Sequence, residues 1–411
     1  MRNWLVLGML VTASGCGSDG ASPDPMGATA GQATIGGQGA QAGVGSNTTG
    51  SVATTGGGGA GGSAGHSSAG GTGTTGGSGS GGGGSGGTAA GGGSSGGNSG
   101  GSGAMNQVFS ECRVHFGTID AKAKEHPEMI KELDFFTPGW MGQSDTFDQK
   151  FVCDEAKEGA VLGKQVPVIV AYVSAFYVKR HHGKLCDCNV NECGQTDGKA
   201  NDLCHFGAQY IKQDRAQIVA VYESYAKGYA ECYGTARPIV FEMEPDWYQY
   251  TGGTQGSPMT KQEAGTMMGE FVSAMRKHLP NAYFSLDISP WVDDNGTSNG
   301  QSWYSSFDLS KFTFINTSGG STEAVSSKIR SANQMTWAGV SKVTGKPILA
   351  DTGYGANGAS AGHDANWDSV NNLNARVADG VISISQYNPK ADWGNTIASI
   401  RSQLNKPKFC P

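Results

Sequence analysis

Residues 105–411 read as a (β/α)8 barrel of the α/β class, and two observations carry that reading. Eight apolar, β-branched runs recur along the segment, each separated from the next by enough chain for a helix. No glycine-rich phosphate loop follows the first run, which disfavours the alternative of a doubly wound open sheet.

The strands are expected near 113–119, 133–137, 165–173, 238–244, 282–288, 311–317, 346–351 and 380–387. Two intervening helices have clear apolar periodicity. One runs over 214–233, with Ile218, Val221, Tyr222 and Tyr225 on one face. The other covers 261–278, with Met267, Met268, Phe271 and Met275 inward and Pro280-Asn281 as its stop.

The chain ahead of the barrel is of another kind. Arg2, an apolar run from Trp4 to Val11 too short to span a bilayer, and Ala13-Ser14-Gly15-Cys16 form an export signal ending in small residues and a cysteine. The last four resemble the lipobox of bacterial lipoproteins, with Ala13 where Leu is usual. That resemblance implies cleavage before Cys16 and lipidation of it, with the membrane contacted through the lipid alone. An ordinary secretory signal cleaved nearby is the alternative.

Residues 17–104 are almost wholly Gly, Ser, Ala and Thr, with no Lys or Arg. Such a composition cannot bury enough apolar surface to offset its conformational entropy, so a disordered tether is expected. As a flexible coil its root-mean-square reach is roughly 50 Å. The expected division is therefore signal 1–16, tether 17–104 and barrel 105–411. Location is expected at the cell envelope; Gly17 in place of an Asp after the cysteine favours the outer membrane.

Cysteine usage agrees with export. Besides Cys16 there are eight: Cys112, Cys153, Cys186, Cys188, Cys193, Cys204, Cys232 and Cys410. An even count in an exported domain implies a disulfide framework. Cys186, Cys188, Cys193 and Cys204 crowd one polar stretch and would staple a loop after the third strand, whereas a Cys112–Cys410 bond would close the domain. A zinc site is the rival reading, but two C-x-x-C pairs and a suitably placed His are lacking.

The net charge of −6 and the absence of a Lys/Arg run argue against nucleic acid. No cofactor or metal is expected: the histidines form no H-E-x-x-H pattern, and neither Asp293-Asp294-Asn295-Gly296 nor the Asp187-x-Asn189-x-Asn191 run is an EF-hand loop. A monomer is expected.

Barrels of this kind work at the C-terminal ends of their strands. The residues expected there are Asp120, Trp140, Tyr172 and Tyr177, Glu242 and Glu244, Asp287 and Trp291, Asn316, Asp351, and Gln386 with Trp393 further on. Carboxylates converge with aromatic rings, a combination suited to acid/base work on sugars and to stacking on their C–H faces.

The sharpest segment is Phe241-Glu242-Met243-Glu244-Pro245-Asp246-Trp247-Tyr248. Residues two apart on a strand face the same way, so Glu242 and Glu244 are expected side by side in the lumen, about 7 Å apart. Burial and mutual repulsion would raise the pKa of one, as a general acid requires. The alternative is a structural pair satisfied by Arg113 or His115. Asp351 ends the seventh strand before a glycine-rich loop, across the mouth from the fourth; capping that loop is its alternative role.

These motifs resemble two glycoside hydrolase families. The Glu242 segment resembles the H-E-M-N-G-x-W strand of family 26 mannanases and related glucanases, which implies that Glu242 is the acid/base. Lys346-Pro347-Ile348-Leu349-Ala350-Asp351 resembles that family's K-P-I-x-x-A-E strand, which implies a nucleophile at Asp351, with Asp in place of Glu. Glu244-Pro245-Asp246, Leu286-Asp287 with Trp291, and the segment from Asp351 to Gly358 resemble motifs of family 6 cellulases. The acid Asp of that family has no counterpart in Gly234-Thr235-Ala236-Arg237-Pro238.

The implied function is hydrolysis of a β-linked glucan or mannan. Glu244 or Glu242 would be the acid and Asp351 the nucleophile or base. Asp246, Trp247, Tyr248, Asp287, Trp291, Asn316, Trp140, Tyr172, Tyr177, Gln386 and Trp393 would line the substrate cleft. The rival is a catalytically silent glycan-binding or adhesion lipoprotein on the same scaffold. The shorter Asp351 widens the carboxylate gap, and retention versus inversion stays open.

Overall fold

The computed structural model describes residues 107–410, apart from 110, 120–125, 138, 148–152, 154–164, 184, 189–192, 197, 253–257 and 354–361. The expected signal, Cys16, the tether, Asp120 and most of the glycine-rich loop after Asp351 lie outside the described residues.

Eight parallel strands close on themselves. They are β1 (His115–Ile119), β2 (Phe135–Phe136, continued by Trp140–Met141), β3 (Val166–Ala171), β4 (Ile239–Met243), β5 (Ala282–Asp287), β6 (Phe314–Asn316), β7 (Ile348–Asp351) and β8 (Val381–Tyr387). Each pairs with the next, and β8 returns to β1 with His115 opposite Ser383 and Ile119 opposite Tyr387. The protein is a (β/α)8 barrel, and its strands fall within the segments expected from sequence, except that β2 continues past the expected 133–137 to Trp140–Met141. Closure pairs every edge, which removes the template for aggregation that an open sheet presents.

The helices also follow their sequence signals. Arg215–Cys232 and Lys261–Arg276 occupy the two periodic segments. The second opens on a capping box in which Thr260 and Glu263 satisfy each other's backbone donors, so its start is set locally. Among the described residues no helix is long and apolar enough to cross a membrane.

Strand alternation sorts side chains into two cores. Ile169, Phe241, Met243, Phe284, Leu286, Ile315 and Ala350 belong to the layer between sheet and helices, with Tyr222, Phe271 and Trp247. Val166, Val168, Val240, Phe314 and Leu349 fill the lumen with Val108 and Phe109, which precede β1. Phe109 stacks on His115 at 4.1 Å between centroids. The apolar lumen core is drawn mainly from early strand residues, and on β4, β5, β6 and β7 polar inward positions follow it. Gly117 of β1 is required there, since a Cβ would meet the Phe135 ring at 2.1 Å.

All eight domain cysteines are paired, as Cys112–Cys410, Cys153–Cys232, Cys186–Cys193 and Cys188–Cys204. The first ties the two ends of the domain together. The last two staple the segment after the helix Val173–His181, which follows β3. Replacing Cys112 and Cys410 with Ser releases a loop of 298 residues. It is expected to cost about 3–5 kcal/mol of unfolding free energy, measured by denaturant titration under oxidising conditions; a loss below about 1 kcal/mol would show that core packing alone holds the ends.

Candidate functional site

The pleat decides which carboxylates enter the lumen. Glu242 lies between the outward Phe241 and Met243 and in phase with the inward Val240, so it points inward near the end of β4. By the same rule Asp351 follows Leu349 in β7, and Asn316 follows Phe314 in β6. Asp287 ends β5 opposite Asn316, and both are buried.

Burial raises all three lumen carboxyls, because a dry environment penalises the charged form. For Glu242 burial is reinforced by the charges of Asp351 and Asp287, and its pKa lies well above the ordinary value. Asp351 is pushed up to about 7 by burial, against the Gly353 N–H (2.6 Å), the charge of Arg330 and the Thr317 hydroxyl (3.1 Å). Asp287 is pushed up to about 6 by burial, opposed by the Ser318 hydroxyl (2.5 Å) and Arg330. Asp246, just past β4, reaches about 7 through burial and the charge of Asp287. Glu242 thus favours its protonated form, has no hydrogen-bond partner among the described residues, and feels Asp351 across the lumen.

Glu244 does not share that lumen, which corrects the expected side-by-side pair. Its backbone is left-handed (φ 45°), so the alternation ends at Met243 and the side chain leaves the lumen. The carboxylate is fully buried and accepts hydrogen bonds from the Ser174 N–H (2.6 Å), the Tyr222 hydroxyl and the Tyr250 hydroxyl (2.9 Å). Burial raises its pKa while these donors oppose the rise. Glu244 is not among the charges that raise Glu242, and Arg113 satisfies neither glutamate: it pairs with Glu111 and Asp134. Glu244 is a fixed anchor joining β4 to two helices and to the Tyr250 segment.

The aromatic residues divide in the same way. Trp140, Tyr172, Tyr248 and Trp291 are half-buried. Trp140 meets Tyr172 edge to face at 5.6 Å, and Tyr172 meets Tyr250, so this group leans on the Glu244 anchor. Three of the expected cleft residues are instead core. Trp247 is 1% exposed and donates its indole N–H to the Ala264 carbonyl (3.3 Å), because one residue past the left-handed Asp246 the chain has turned into the helix layer. Trp393 is 1% exposed, bonds Asp368 and packs on Phe116. Tyr177, one turn into its helix, is buried and stacks on His181.

Gln386 faces no cleft either. Its amide accepts from the Asp364 N–H and donates to the Asp364 carbonyl, closing the loop beyond β7. Asn316 accepts from Ser285 within the lumen (2.7 Å). Asp293 is held by Lys261, Ser298 and Ser302, and Asp187 pairs with Lys179.

Arg330 was not anticipated. It is 7% exposed, donates to the Ser318 carbonyl, lies 5.1 Å over the Trp291 ring and lowers the pKa of Asp246, Asp287 and Asp351. Its Nε has no partner among the described residues. No local pattern marks it in sequence: it is the one arginine between β6 and β7, but Lys328, Lys342 and Lys346 lie in the same segment.

The sequence matches no model of a known protein family and no curated protein. Solved structures similar to it include a GH26 β-mannanase from Bacteroides ovatus, BoMan26A, at 12% identity, covering 71% of this chain and 89% of that one with a TM-score of 0.46. GH26C from Muricauda sp. is similar at 13% identity, 74% and 90% coverage and a TM-score of 0.45. The YdhT protein from Bacillus subtilis is similar at 11% identity, 71% and 85% coverage and a TM-score of 0.44. Likenesses at this level carry no inference about activity, and the barrel itself rests on the strand pairing.

Opposite outcomes are expected for the buried carboxyls. Glu244→Gln turns an amide donor toward three donors and should cost about 2 kcal/mol or more, by denaturant titration. Asp351 has a folded pKa of about 7 against an unfolded value near 3.8, so its contribution to stability is present below pH 4 and lost as pH rises to 7. Asp351→Asn should therefore leave stability near wild type at pH 4 and raise it at pH 8, by about 4 kcal/mol at most. No change with pH would show Asp351 to be solvated. Arg330→Met should raise the titration midpoints of Asp287 and Asp351, read by carbon NMR of labelled carboxylates; unmoved midpoints would remove Arg330 from the site.

Proposed function

We propose that this chain is a glycoside hydrolase acting on a β-linked glucan or mannan. One observation carries the reading: inward carboxyls on β4 and β7 face one lumen, where the charge of Asp351 helps hold the pKa of Glu242 well up, Glu242 has no hydrogen-bond partner among the described residues, and Asp351 is fixed by Gly353 and Thr317. In this reading Glu242 donates its proton to the glycosidic oxygen of the leaving sugar. Asp351, ionised, acts opposite it, either on the anomeric carbon or on a water molecule. Asp287 and Asp246 orient the ring or the water, and Trp140, Tyr172 and Trp291 offer ring surfaces. Ionisation of Asp351 adds negative charge near Glu242 and so strengthens its hold on the proton.

We further propose that Cys16 carries a lipid and that residues 17–104 tether the barrel at the cell envelope as a monomer. The sequence features of 1–104 support this part, and a Cys16→Ala variant that still incorporates labelled fatty acid would overturn it.

Reducing-sugar release should be measured on cellulose, lichenan, mannan, xylan and curdlan. Release from one β-glucan or mannan is expected, falling at least a hundredfold in Glu242→Gln and Asp351→Asn. Activity surviving both substitutions would sink the site assignment. No release, with retained binding of glycan, would establish a silent binding protein. The wild-type rate should rise with pH through about 7 as Asp351 ionises and fall at higher pH as Glu242 loses its proton. The anomer first released, followed by proton NMR, assigns Asp351 as nucleophile if configuration is retained and as base if it is inverted.

A further inference from the structure

The chain leaving β5 makes a turn that L-residues rarely adopt. Asp293, Asp294 and Asn295 are left-handed in succession (φ 48°, 54° and 63°), Gly296 continues the run at 86°, and Asn299 and Gly300 repeat it at 53° and 74°. Asp and Asn tolerate this region best, but their Cβ is still crowded there. A run of such residues persists only where its surroundings fix each one, and such runs collect at working sites.

Two sets of contacts fix this one. Asp293 holds its start, accepting from Lys261 (2.6 Å), Ser298 (3.0 Å) and the Ser302 N–H (2.8 Å). The remainder grips the segment between β6 and β7. Asn295 donates to the Ala332 carbonyl (3.3 Å), accepts from the Asn333 amide (2.6 Å), and takes the Gln334 N–H on its own carbonyl (2.9 Å). The Asn299 carbonyl oxygen, Oδ1, accepts both the N–H (2.8 Å) and the hydroxyl (3.1 Å) of Thr336. The two segments touch at Gly296, where a Cβ would lie 2.8 Å from the Met335 nitrogen.

The gripped segment is a small closed loop. Lys328 bridges Thr336 antiparallel, the Ile329 N–H bonds the Met335 carbonyl (3.0 Å), and the Asn333 N–H bonds the Arg330 carbonyl (3.2 Å). Arg330 therefore opens a turn whose far side the two asparagines hold. From that turn its guanidinium lies over Trp291, two residues before the left-handed run, and donates to the Ser318 carbonyl; the Ser318 hydroxyl bonds Asp287 (2.5 Å). Burial raises Asp246, Asp287 and Asp351, and the charge of Arg330 opposes the rise in each. The other charged groups in the cluster are acidic: Glu242 from β4, and Asp187, which faces Asp246.

We infer that Asn295 and Asn299 are positioning residues of the carboxyl cluster, holding the 329–336 loop so that Arg330 stays over Trp291 and beside Asp287 and Asp351. Neither asparagine touches the carboxyls; both act through Arg330. In the glycoside hydrolase reading, on which this consequence rests, the clamp sets the pH at which Asp351 becomes an ion.

The test replaces both residues with glycine, which keeps the left-handed backbone accessible and removes only the amides. Titration midpoints of Asp287 and Asp351 are read by carbon NMR of labelled carboxylates. In Asn295→Gly/Asn299→Gly both are expected to rise by about half a pH unit or more, a threefold gain in proton affinity. Added to Arg330→Met, the same two substitutions are expected to raise them no further, because the effect runs through the arginine. Asn299→Gly alone is read by the same comparison if the pair does not fold. Midpoints that stay put, or that rise as much without Arg330 as with it, overturn the clamp; asparagines that merely support the fold would lower the denaturation midpoint and leave both titrations alone. On a hydrolysed glycan, the acid limb of kcat/KM is expected to move up in step with Asp351. Midpoints that move as expected, in a protein that hydrolyses no substrate, keep the clamp and overturn the hydrolase reading by itself.

Discussion

Closing eight parallel strands leaves no free edge, and it imposes a condition on every inward side chain. Each strand sends alternate residues into a lumen too narrow for more than packed side chains, so a polar group there must be bonded, neutral or paired. The early strand positions meet the condition with Val, Phe and Leu. The later ones hold Glu242, Asp287, Asn316 and Asp351, and the raised pKa values of the three carboxyls follow from that placement. The perturbation a two-carboxylate mechanism needs is thus a consequence of where the pleat puts these residues.

Two groups at the rim keep the arrangement from collapsing. Arg330 supplies the positive charge that limits the rise of three aspartates, and it reaches Asp287 through Ser318, whose carbonyl it holds and whose hydroxyl bonds the carboxylate. Glu244 works outside the lumen. Its three donors come from the helix after β3, the helix before β4 and the segment after β4, so a single buried carboxylate joins neighbouring units of the barrel. The left-handed turn at Glu244 and Asp246 both ends the alternation and aims the following residues into the helix layer.

That turn also explains which residues were misread from sequence. Spacing of two along a strand places Glu242 and Glu244 on one face only while the strand lasts, and it ends between them. Trp247 was expected in the cleft because it stands four residues past the strand in sequence; in space it packs on Phe271. Trp393 and Gln386 fail for a related reason. Proximity to a strand end says nothing of whether a large side chain points up from the mouth or down into the helix layer. The carboxylates inside the strands were read correctly as to face, since the pleat has a fixed period.

The sequence by itself determined the eight strands and their order, the two long helices, the even set of cysteines and the inward phase of Glu242 and Asp351. All of these follow from local periodicity, composition or counting, which need no knowledge of distant contacts. Only the tertiary structure decided that Glu244 is an anchor, that Arg330 sits among the aspartates, and which aromatic rings remain open to a ligand. These depend on backbone handedness at single residues and on contacts between segments far apart in the chain, such as Tyr222 with Glu244 and Arg330 with Trp291. A pattern along one strand cannot encode a partner supplied by another.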